Sequence, residues 1–336
     1  MKALLFNGKE KIVFGTSQKP KIGNHDILMK IKAVGLCGTD LHIYRGGLAV
    51  PKKSVIGHEF SGIVAEIGRE VHNVKVGDHV VGEHVVTCGK CSYCKVGKPN
   101  LCAKAQVIGL QRPGALAEFL SIPANLVYKI PNNIPFTVAA LVEPLSIALY
   151  AVREAGFLLN KRVAVVGQGP IGLLVDQVLK SAGALVTGID IRDSALAFAK
   201  KKGWVRHTIR PSKDNPEECV KKITPEGYDV VFEVVGLEST TELALEIARR
   251  HAKVYLLGVF SAPSKINLMN IVKKELQVFG SWTCANVFPE AIELLARNEV
   301  DLKSLITNVY QAKDGAQAFK DASSYQGNRI KSVITF

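Results

Sequence analysis

A chain of 336 residues is too long for one small hydrophobic core, so its length predicts about two domains. Hydrophobic residues make up 47% and charged residues 22%, the balance of a soluble globular protein rather than a disordered one. The 43 lysines and arginines exceed the 30 aspartates and glutamates. These cations are dispersed and not interleaved with aromatic residues, which argues against nucleic-acid binding but leaves an anionic small molecule open as a ligand.

No apolar run approaches the length expected of a membrane span, and the first residues lack the pattern of a secretion signal. We therefore expect a cytoplasmic protein with no membrane partner. The seven cysteines are an odd number, and four of them are closely spaced. Without a secretion signal, this distribution predicts metal-binding or catalytic thiolates rather than a disulfide framework.

Short β-strands separated by glycine and proline turns are predicted for the first 140 or so residues. The clearest are rich in valine and isoleucine: IVFGT, ILMKIKAVG, FSGIVAEIG and DHVVGEHVV. Gly62, Gly68 and Gly77 interrupt the strands as a small, strongly bent barrel requires. This region therefore predicts a β-barrel-like N-terminal domain.

Near residue 145 the pattern changes to alternating apolar strands and amphipathic helices. The predicted order is helix LSIALYAVREA, strand RVAVVG, helix IGLLVDQVLKSAG, strand LVTGID, helix SALAFAKKKG, strand YDVVFEVVG, helix STTELALEIARR and strand KVYLLGVF. This alternation predicts an α/β domain with a parallel, doubly wound sheet. The helix FPEAIELLARN and the closing strand SVITF follow, and we expect them to return to the N-terminal domain. The predicted domains are therefore 1–144 completed by 283–336, and 145–282.

A glycine-rich turn joins the first strand and helix of the α/β region. Its residues are Gly167, Gln168, Gly169, Pro170, Ile171 and Gly172. The turn follows the strand VAVV, opens a helix and precedes Asp190 at the end of the next strand, which is the context of a dinucleotide-binding fingerprint. Such glycines allow a tight turn, close approach of the backbone to a pyrophosphate and close helix packing, and the helix N-terminus attracts the phosphates.

Asp190 is the residue of this fingerprint that discriminates between cofactors. We expect it to accept hydrogen bonds from the adenosine ribose and to repel a 2′-phosphate, which favours NAD over NADP. Arg192 opposes this preference, because a guanidinium group can accommodate that phosphate. The alternatives are a plain strand-to-helix turn for the glycines and an ordinary helix-capping role for Asp190.

Four cysteines in a short polar loop are the most specific local feature. They are Cys88, Cys91, Cys94 and Cys102. Four thiolates at this spacing can close a tetrahedral shell around Zn²⁺, and such a filled shell is structural because no position remains for a substrate. A four-cysteine iron–sulfur cluster is the main alternative, since its spacings overlap.

A second set of metal-ligand residues is dispersed along the chain. Cys37 lies in GLCGTDLH, His58 and Glu59 lie in GHEF, and Glu143 precedes a proline. One cysteine, one histidine and carboxylates make a zinc site that retains an open position. Each residue is ambiguous alone, since a single cysteine is usually a small core residue, and the spacing does not join them.

Taken together, these motifs resemble the zinc-containing medium-chain alcohol dehydrogenases, in the branch of polyol (sorbitol-type), sugar-acid and threonine dehydrogenases. The resemblance covers nearly the whole length, through GLCGTDLHIY, GHEFSG, the four-cysteine loop, LVEPLSIA, VVGQGPIGLL and SVITF. It implies a GroES-like catalytic domain and a Rossmann domain, two zinc ions per chain, and a homodimer or homotetramer. Strand KVYLLGVF is the candidate for extending the sheet across a dimer axis.

The resemblance also implies roles for individual residues. Cys37, His58 and Glu59 would hold the catalytic zinc, with Glu143 as an alternating or water-mediated ligand. Thr39 would contact the zinc-bound oxygen, and His42 would pass the hydroxyl proton to solvent, a task that suits an imidazole.

The implied reaction is hydride transfer from an alcohol to the nicotinamide, assisted by zinc. The substrate is less defined. Thr283 stands where sorbitol-type enzymes have arginine, so other polyols, sugar acids and sugar phosphates are open, and Arg45 favours an anionic substrate. The alternatives are an L-threonine 3-dehydrogenase, a basic zinc-ribbon protein that binds nucleic acid, and a catalytically silent relative.

Overall fold

The computed structural model describes residues 1–211, 215–324 and 328–336. The chain divides into two compact units. The first unit comprises residues 1–144, 285–297 and 301–336, and the second comprises 145–284 and 298–300. Each unit has its own buried hydrophobic core.

The strands of both units are short apart from β3, β5 and β15. In chain order they are β1 (Lys2–Phe6), β2 (Ile12–Thr16), β3 (Asp26–Gly35), β4 (Ser54–Val55), β5 (Glu59–Ile67), β6 (His79–Gly82), β7 (Val85–Val86), β8 (Gln106–Val107), β9 (Phe119–Pro123), β10 (Val127–Lys129), β11 (Arg162–Val166), β12 (Leu185–Ile189), β13 (His207–Ile209), β14 (Tyr228–Glu233), β15 (Ala248–Leu256), β16 (Gln277–Gly280), β17 (Ile306–Gln311) and β18 (Lys331–Thr335).

The helices are concentrated in the second unit and near the end of the chain. They are α1 (Gly38–Tyr44), α2 (Ser92–Lys95), α3 (Phe136–Ala139), α4 (Val142–Ala155), α5 (Pro170–Ser181), α6 (Asp193–Lys201), α7 (Pro216–Ile223), α8 (Glu238–Ile247), α9 (Leu268–Lys274), α10 (Phe288–Ala296) and α11 (Gly315–Ser323). Short 3₁₀ turns link several of them.

The first unit is built around strand β3, which bends as it passes between partners. Residues 26–30 of β3 pair with β9, and residues 33–35 pair with the final strand β18. The register of β3 against β5 shifts twice along this length, and such bulges increase the local bend and twist. The resulting seven-stranded sheet has the order β10-β6-β5-β3-β18-β17, with β9 beside β3.

The second unit contains a six-stranded sheet with the order β13-β12-β11-β14-β15-β16. All five pairings are parallel, and its strands are mostly buried because helices cover such sheets. The strand order reverses between β11 and β14, which in doubly wound sheets is where ligands bind. The predicted α/β fold class with a parallel sheet is confirmed.

Strand β15 contains the segment that we expected to extend a sheet across a dimer axis. That expectation is wrong for this strand, because β15 is paired on both sides, with β14 and β16. The two edges of this sheet are formed instead by β16 and β13. The helix predicted through Arg250 also ends earlier, at Ile247, since the backbone of Ala248 is extended and begins β15. The Lys274 ammonium group donates to the carbonyl groups of Leu245, Glu246 and Ala248 at this junction.

One apolar segment differs from the sequence-based expectation. Residues Phe136–Ala155 are long and apolar enough to cross a membrane by length and composition, so the expectation that no run approaches this length is wrong. In the structure this run forms α3 and α4, separated by a turn. Its 18-residue apolar window is 78% buried inside the protein, as expected of a helix that packs in a core.

Candidate metal and dinucleotide sites

Cys37 is placed by the turn between β3 and α1. It is the N-cap residue of α1, and its backbone N–H donates to Oδ2 of Asp40 at 2.9 Å. This is a capping-box arrangement, in which a side chain three residues into the helix satisfies the backbone of the cap. The Cys37 thiol is half-buried and lies 3.8 Å from the hydroxyl oxygen of Thr39.

His58 and Glu59 come from the beginning of β5. Glu59 is the first residue of the strand and stands opposite Gly35 of β3. Both side chains are buried. Nδ1 of His58 lies 3.7 Å from Oδ1 of Asp40, so the same aspartate faces both His58 and the backbone of Cys37.

The structure brings Cys37, His58 and Glu59 together. Their ligand atoms all lie within 4.8 Å of one another, although the residues are up to 22 positions apart in the chain. A thiolate, an imidazole and a carboxylate are the donor types that Zn²⁺ prefers, and three protein ligands leave one tetrahedral position for a small molecule. This arrangement has the composition of a catalytic rather than a structural zinc site.

Lys331 enters the same cluster from the final strand β18. Its Nζ donates to Oε1 of Glu59 at 2.6 Å, and both side chains are almost completely buried. Within the described residues, Oε2 of Glu59 accepts no hydrogen bond. A buried carboxylate oxygen without a donor is costly unless a cation occupies the space beside it.

Glu143 lies close enough to interact electrostatically with His58 and Lys331 but outside the three-residue group. Its Oε1 lies 2.9 Å from Nδ1 of His84, and both residues are buried. The ring of His84 in turn lies beside that of His58, with 5.4 Å between centroids. Glu143 therefore has a partner of its own, while Glu59 faces Cys37 and His58.

The surplus of acidic groups shifts the ionisation of this cluster. Burial alone lowers the pKa of His58, but Asp40 and Cys37 outweigh this effect and raise it well above the usual value. Burial raises the pKa of Glu59 against the opposing charge of Lys331. Burial also acts to raise the pKa of Glu143, but His84, His58 and Lys331 together more than offset it, so that the pKa is lowered. A divalent cation would balance the same negative groups, so the donor set fits Zn²⁺.

Thr39 and His42 lie three residues apart on α1, so their side chains are on the same face of the helix. The Thr39 hydroxyl group lies next to the Cys37 sulfur. His42 lies one helical turn further along α1 and is half-buried. Arg45 is the C-cap residue of α1, and its guanidinium group donates to the carbonyl of Ser323 at the end of α11. That contact gives Arg45 a helix-end partner, which weakens its expected support for an anionic substrate.

The four closely spaced cysteines also converge. Their sulfur atoms lie within 4.8 Å of one another, and two of the pairs, Cys91 with Cys94 and Cys88 with Cys102, are 3.5 Å apart. Zn–S bonds of about 2.3 Å in a tetrahedron place sulfurs about 3.8 Å apart, close to this spacing. Backbone N–H groups of Lys90 and Cys91 lower the pKa of Cys88 to about 6, which favours the metal-binding thiolate. None of the cysteines in the described chain forms a disulfide.

The glycine-rich turn lies at the strand-order reversal of the parallel sheet, between β11 and α5. Gly167 has φ +105°, which other residues rarely adopt, and Gly169 is the N-cap of α5. Pro170 is the first helical residue and Ile171 follows it. A Cβ on Gly172 would lie 1.9 Å from the carbonyl oxygen of Gly167, so this close packing requires glycine.

Asp190 follows β12 and accepts hydrogen bonds on both carboxylate oxygens. Its Oδ2 accepts from the backbone N–H of Gln168 at 2.7 Å, and its Oδ1 accepts from the N–H of Arg192 at 2.8 Å. The Arg192 guanidinium group also donates to both carboxylate oxygens of Asp190, from Nε to Oδ1 and from Nη2 to Oδ2, each at 3.1 Å. Arg192, not Asp190, is the N-cap of α6, so the helix-capping alternative for Asp190 is wrong.

Three residues of the metal cluster were missed by the sequence analysis. Asp40 carried a usable signal, because it stands three residues after the N-cap in the pattern of a capping box. Lys331 carried a weaker one, as a charged residue in a strand whose neighbours are buried. His84 lies after β6 with no pattern that points to Glu143, and only the folded chain brings the two together.

Two family profiles match the chain. Residues 23–132 match the alcohol dehydrogenase GroES-like domain, and residues 170–297 match the zinc-binding dehydrogenase domain. Sorbitol dehydrogenase of Bacillus subtilis is 32% identical over 342 residues, which cover 99% of this chain and 97% of the relative. L-threonine 3-dehydrogenase of Bacillus velezensis is 36% identical, covering 95% of this chain and 94% of the relative.

This chain belongs to the zinc-binding alcohol dehydrogenase family. An alcohol dehydrogenase of Escherichia coli CFT073, crystallised with the cofactor NADH, superposes with a TM-score of 0.94 at 31% identity and covers 100% of this chain and 99% of that one. The dehydrogenase is therefore an oxidoreductase that uses zinc and a nicotinamide dinucleotide. Its predicted GroES-like and Rossmann domain types are confirmed. The alternative of a zinc-ribbon protein is set aside, because dehydrogenase relatives match nearly the whole length.

Proposed function

We propose that this dehydrogenase oxidises a hydroxyl group of a polyol, sugar acid or sugar phosphate to a ketone, with NAD as hydride acceptor. The observation that carries the proposal is the convergence of the ligand atoms of Cys37, His58 and Glu59 to within 4.8 Å of one another. Three protein ligands would leave the fourth tetrahedral position of Zn²⁺ for a substrate oxygen. The 32% identity to a sorbitol dehydrogenase over nearly the whole chain supports the substrate class.

Cys37, His58 and Glu59 would hold the catalytic zinc, which when bound lowers the pKa of the substrate hydroxyl and stabilises negative charge on its oxygen. Oε2 of Glu59 is the available ligand atom, because Oε1 already accepts from Lys331. Asp40 orients the ligands by accepting from Cys37 and facing His58. Glu143, held by His84, would be the alternating carboxylate.

Thr39 and His42 would remove the hydroxyl proton. The Thr39 hydroxyl lies beside the Cys37 sulfur, where a substrate oxygen at the metal position would meet it. His42 is on the same face of α1 and partly exposed, so it would exchange the proton with water. The remaining four cysteines would hold a second, structural zinc.

The cofactor preference is argued from Asp190. Its carboxylate lies next to the glycine-rich turn, through the hydrogen bond from Gln168. The Arg192 guanidinium group partly neutralises this charge. Its two hydrogen bonds to Asp190 compete with binding of a 2′-phosphate. These contacts favour NAD.

The test is a substrate panel read by NADH absorbance at 340 nm, with sorbitol, galactitol, L-threonine, hexonates and polyol phosphates. We expect turnover of a polyol or a polyol derivative, and His58→Ala should abolish it while leaving one zinc per chain by metal analysis. Full activity of His58→Ala, or of a preparation with a single zinc per chain, would contradict the two-site proposal. Equal rates with neutral and anionic compounds would exclude a charge-based preference.

A second candidate is an L-threonine 3-dehydrogenase, favoured by the 36% identity to such an enzyme. The same panel separates the two, because threonine carries an amino group and a carboxylate that polyols lack. Turnover of L-threonine at a kcat/KM at least tenfold above every polyol would establish this alternative.

The quaternary state and location are also proposals. We propose a homodimer or homotetramer in which edge strand β16 and helix α9 meet a second copy, because Leu268, Met269, Val272 and Phe279 are exposed there. A cytoplasmic location suits a chain whose cysteines are all unbridged in the described structure.

A further inference from the structure

The imidazole ring of His42 lies directly over Gly47, just beyond the end of α1. A Cβ placed on Gly47 would lie 2.0 Å from both Cδ2 and Nε2 of His42. The backbone N–H of Gly47 also donates to the carbonyl of His42 at 2.9 Å, which holds the two residues together. The ring therefore occupies the space that any other residue at position 47 would fill.

The backbone does not explain glycine at position 47. The left-handed conformation at this turn belongs to Gly46, with φ +81°, whereas the φ of Gly47 lies outside that region. Gly47 is exposed, so an alanine methyl group would disturb no buried packing. The conflict is with His42 alone, at the far end of a side chain that can rotate away.

We infer that Gly47 is a positioning residue for His42, keeping open the space in which the imidazole rests. The inference rests on the proposed role of His42 in proton transfer. An ordinary contact begins near 3.4 Å, so an alanine at position 47 would push the ring by about 1.4 Å. Proton transfer needs heavy atoms within about 2.6–3.2 Å, directly or through one water, so this displacement breaks the path.

The inference predicts that Gly47→Ala imitates His42→Ala without unfolding the protein. Four variants are compared in the zinc-loaded protein: Gly47→Ala, His42→Ala, the double variant, and Gly15→Ala. The last is a matched control, because a Cβ there makes only an ordinary 3.4 Å contact with Leu5 on a strand of the first unit. The measurements are kcat and KM for the most active alcohol of the panel, the pH profile of kcat, and carbethoxylation of His42 by diethyl pyrocarbonate.

We expect Gly47→Ala to lower kcat by about tenfold or more near pH 7 and to alter its pH profile as His42→Ala does. The KM for NAD and the melting temperature should stay at the wild-type level, and the double variant should lose no more than His42→Ala. The rate of His42 carbethoxylation should change in Gly47→Ala and not in Gly15→Ala.

Two outcomes separate this inference from the proposed function. If His42→Ala retains full kcat and the wild-type pH profile, the proton-transfer role of His42 is wrong. If His42→Ala is impaired but Gly47→Ala has wild-type kcat, pH profile and labelling, the role of His42 stands and the positioning role of Gly47 is overturned.

Discussion

Among the described residues, few charged side chains are buried, and most of these share one cluster. Asp40, Glu59, Glu143 and Lys331 are all less than 6% exposed and lie around the predicted metal ligands. Lys331 compensates Glu59, and breaking a buried pair by removing one partner commonly costs about 3–5 kcal/mol of stability. Such a concentration of charge is tolerated where a function requires it.

Asp176 is a buried acid outside that cluster. It lies on α5 with no exposed surface, and within the described chain neither carboxylate oxygen has a hydrogen-bond partner that meets normal geometry. Burial raises its pKa well above the usual value, and the nearby Gln168 side chain opposes this only in part. The folded protein therefore favours the protonated form of Asp176 more strongly than the unfolded chain does.

The resulting prediction concerns stability against pH. Because the pKa of Asp176 is raised in the folded protein, its contribution to the free energy of unfolding is complete below about pH 3.9, the pKa in the unfolded chain. This contribution is lost as the pH rises from there toward the pKa in the folded protein, by up to about 1.4 kcal/mol per pH unit. Asp176→Asn removes this loss, so its melting temperature relative to wild type should be higher at pH 8 than at pH 5. Asp314→Asn, at an exposed position, is the control and should show no such trend. An equal difference at both pH values would contradict the prediction.

A substitution at Asp190 tests which cofactor, NAD or NADP, the protein prefers. Asp190→Ala removes both the ribose acceptor and the partner of Arg192, so the freed guanidinium can meet a 2′-phosphate. We expect the ratio of kcat/KM for NADP to that for NAD to rise by about tenfold or more. Asp190→Ala with Arg192→Ala should lose the gain for NADP, and an unchanged ratio in the single variant would show that Asp190 does not discriminate.

At the scale of elements, the loop from Cys88 to Cys102 is distinguished by its lack of a core. Among its residues only Asn100 and Cys102 are buried, whereas Val96 is 73% exposed. Its helix α2 has four residues, too few to be stable alone. A segment of this kind needs a metal ion to hold its fold.

Removal of one sulfur ligand tests this account of the loop. Cys94→Ser should reduce the zinc content from two ions per chain to one by mass spectrometry of the metal, and it should increase the rate of tryptic cleavage after Lys90 and Lys95, which lie in this loop. Cys219→Ser, which changes a cysteine on α7, should keep both ions and the wild-type cleavage rate. Two zinc ions in Cys94→Ser would contradict a four-sulfur site.

At the scale of the whole molecule, the second unit ends in an unprotected sheet edge. Among the described strands, β16 pairs on one side only, with β15. Helix α9 nearby exposes Leu268 by 66% and Val272 by 67%. The unpaired backbone N–H and C=O groups of an edge strand beside apolar side chains can pair with another strand. A second copy of this chain presents the same edge strand, so two copies can pair through it.

The corresponding prediction is that the protein has at least twice its monomer mass of 36.4 kDa by light scattering. Leu268→Asp combined with Val272→Asp should shift it toward the monomer, because charges at an apolar interface oppose association. Val76→Asp, at an exposed position of the first unit, should leave the mass unchanged. A monomeric wild-type protein would overturn the proposed oligomer.

The regular elements were predictable to the extent that their patterns are local. The strand VAVV, its glycine turn and the following helix appear as β11 and α5 because a buried strand and an amphipathic helix each leave a periodic signature. The strands β13 and β16 and the helices α7 and α9 were not predicted. They are short or polar, and partners distant in the chain stabilise them rather than their own pattern.

The sequence by itself determined the fold class, the glycine-rich turn and the four-cysteine loop, because each is encoded within a short stretch of chain. Tertiary structure decided which carboxylate faces Cys37 and His58, and that Lys331 pairs with it, since these residues meet only when β18 lies against β3. It also decided that Arg192 is bound to Asp190 and that the imidazole of His42 rests on Gly47. Distances of a few ångströms between side chains depend on packing, which no local pattern of residues records.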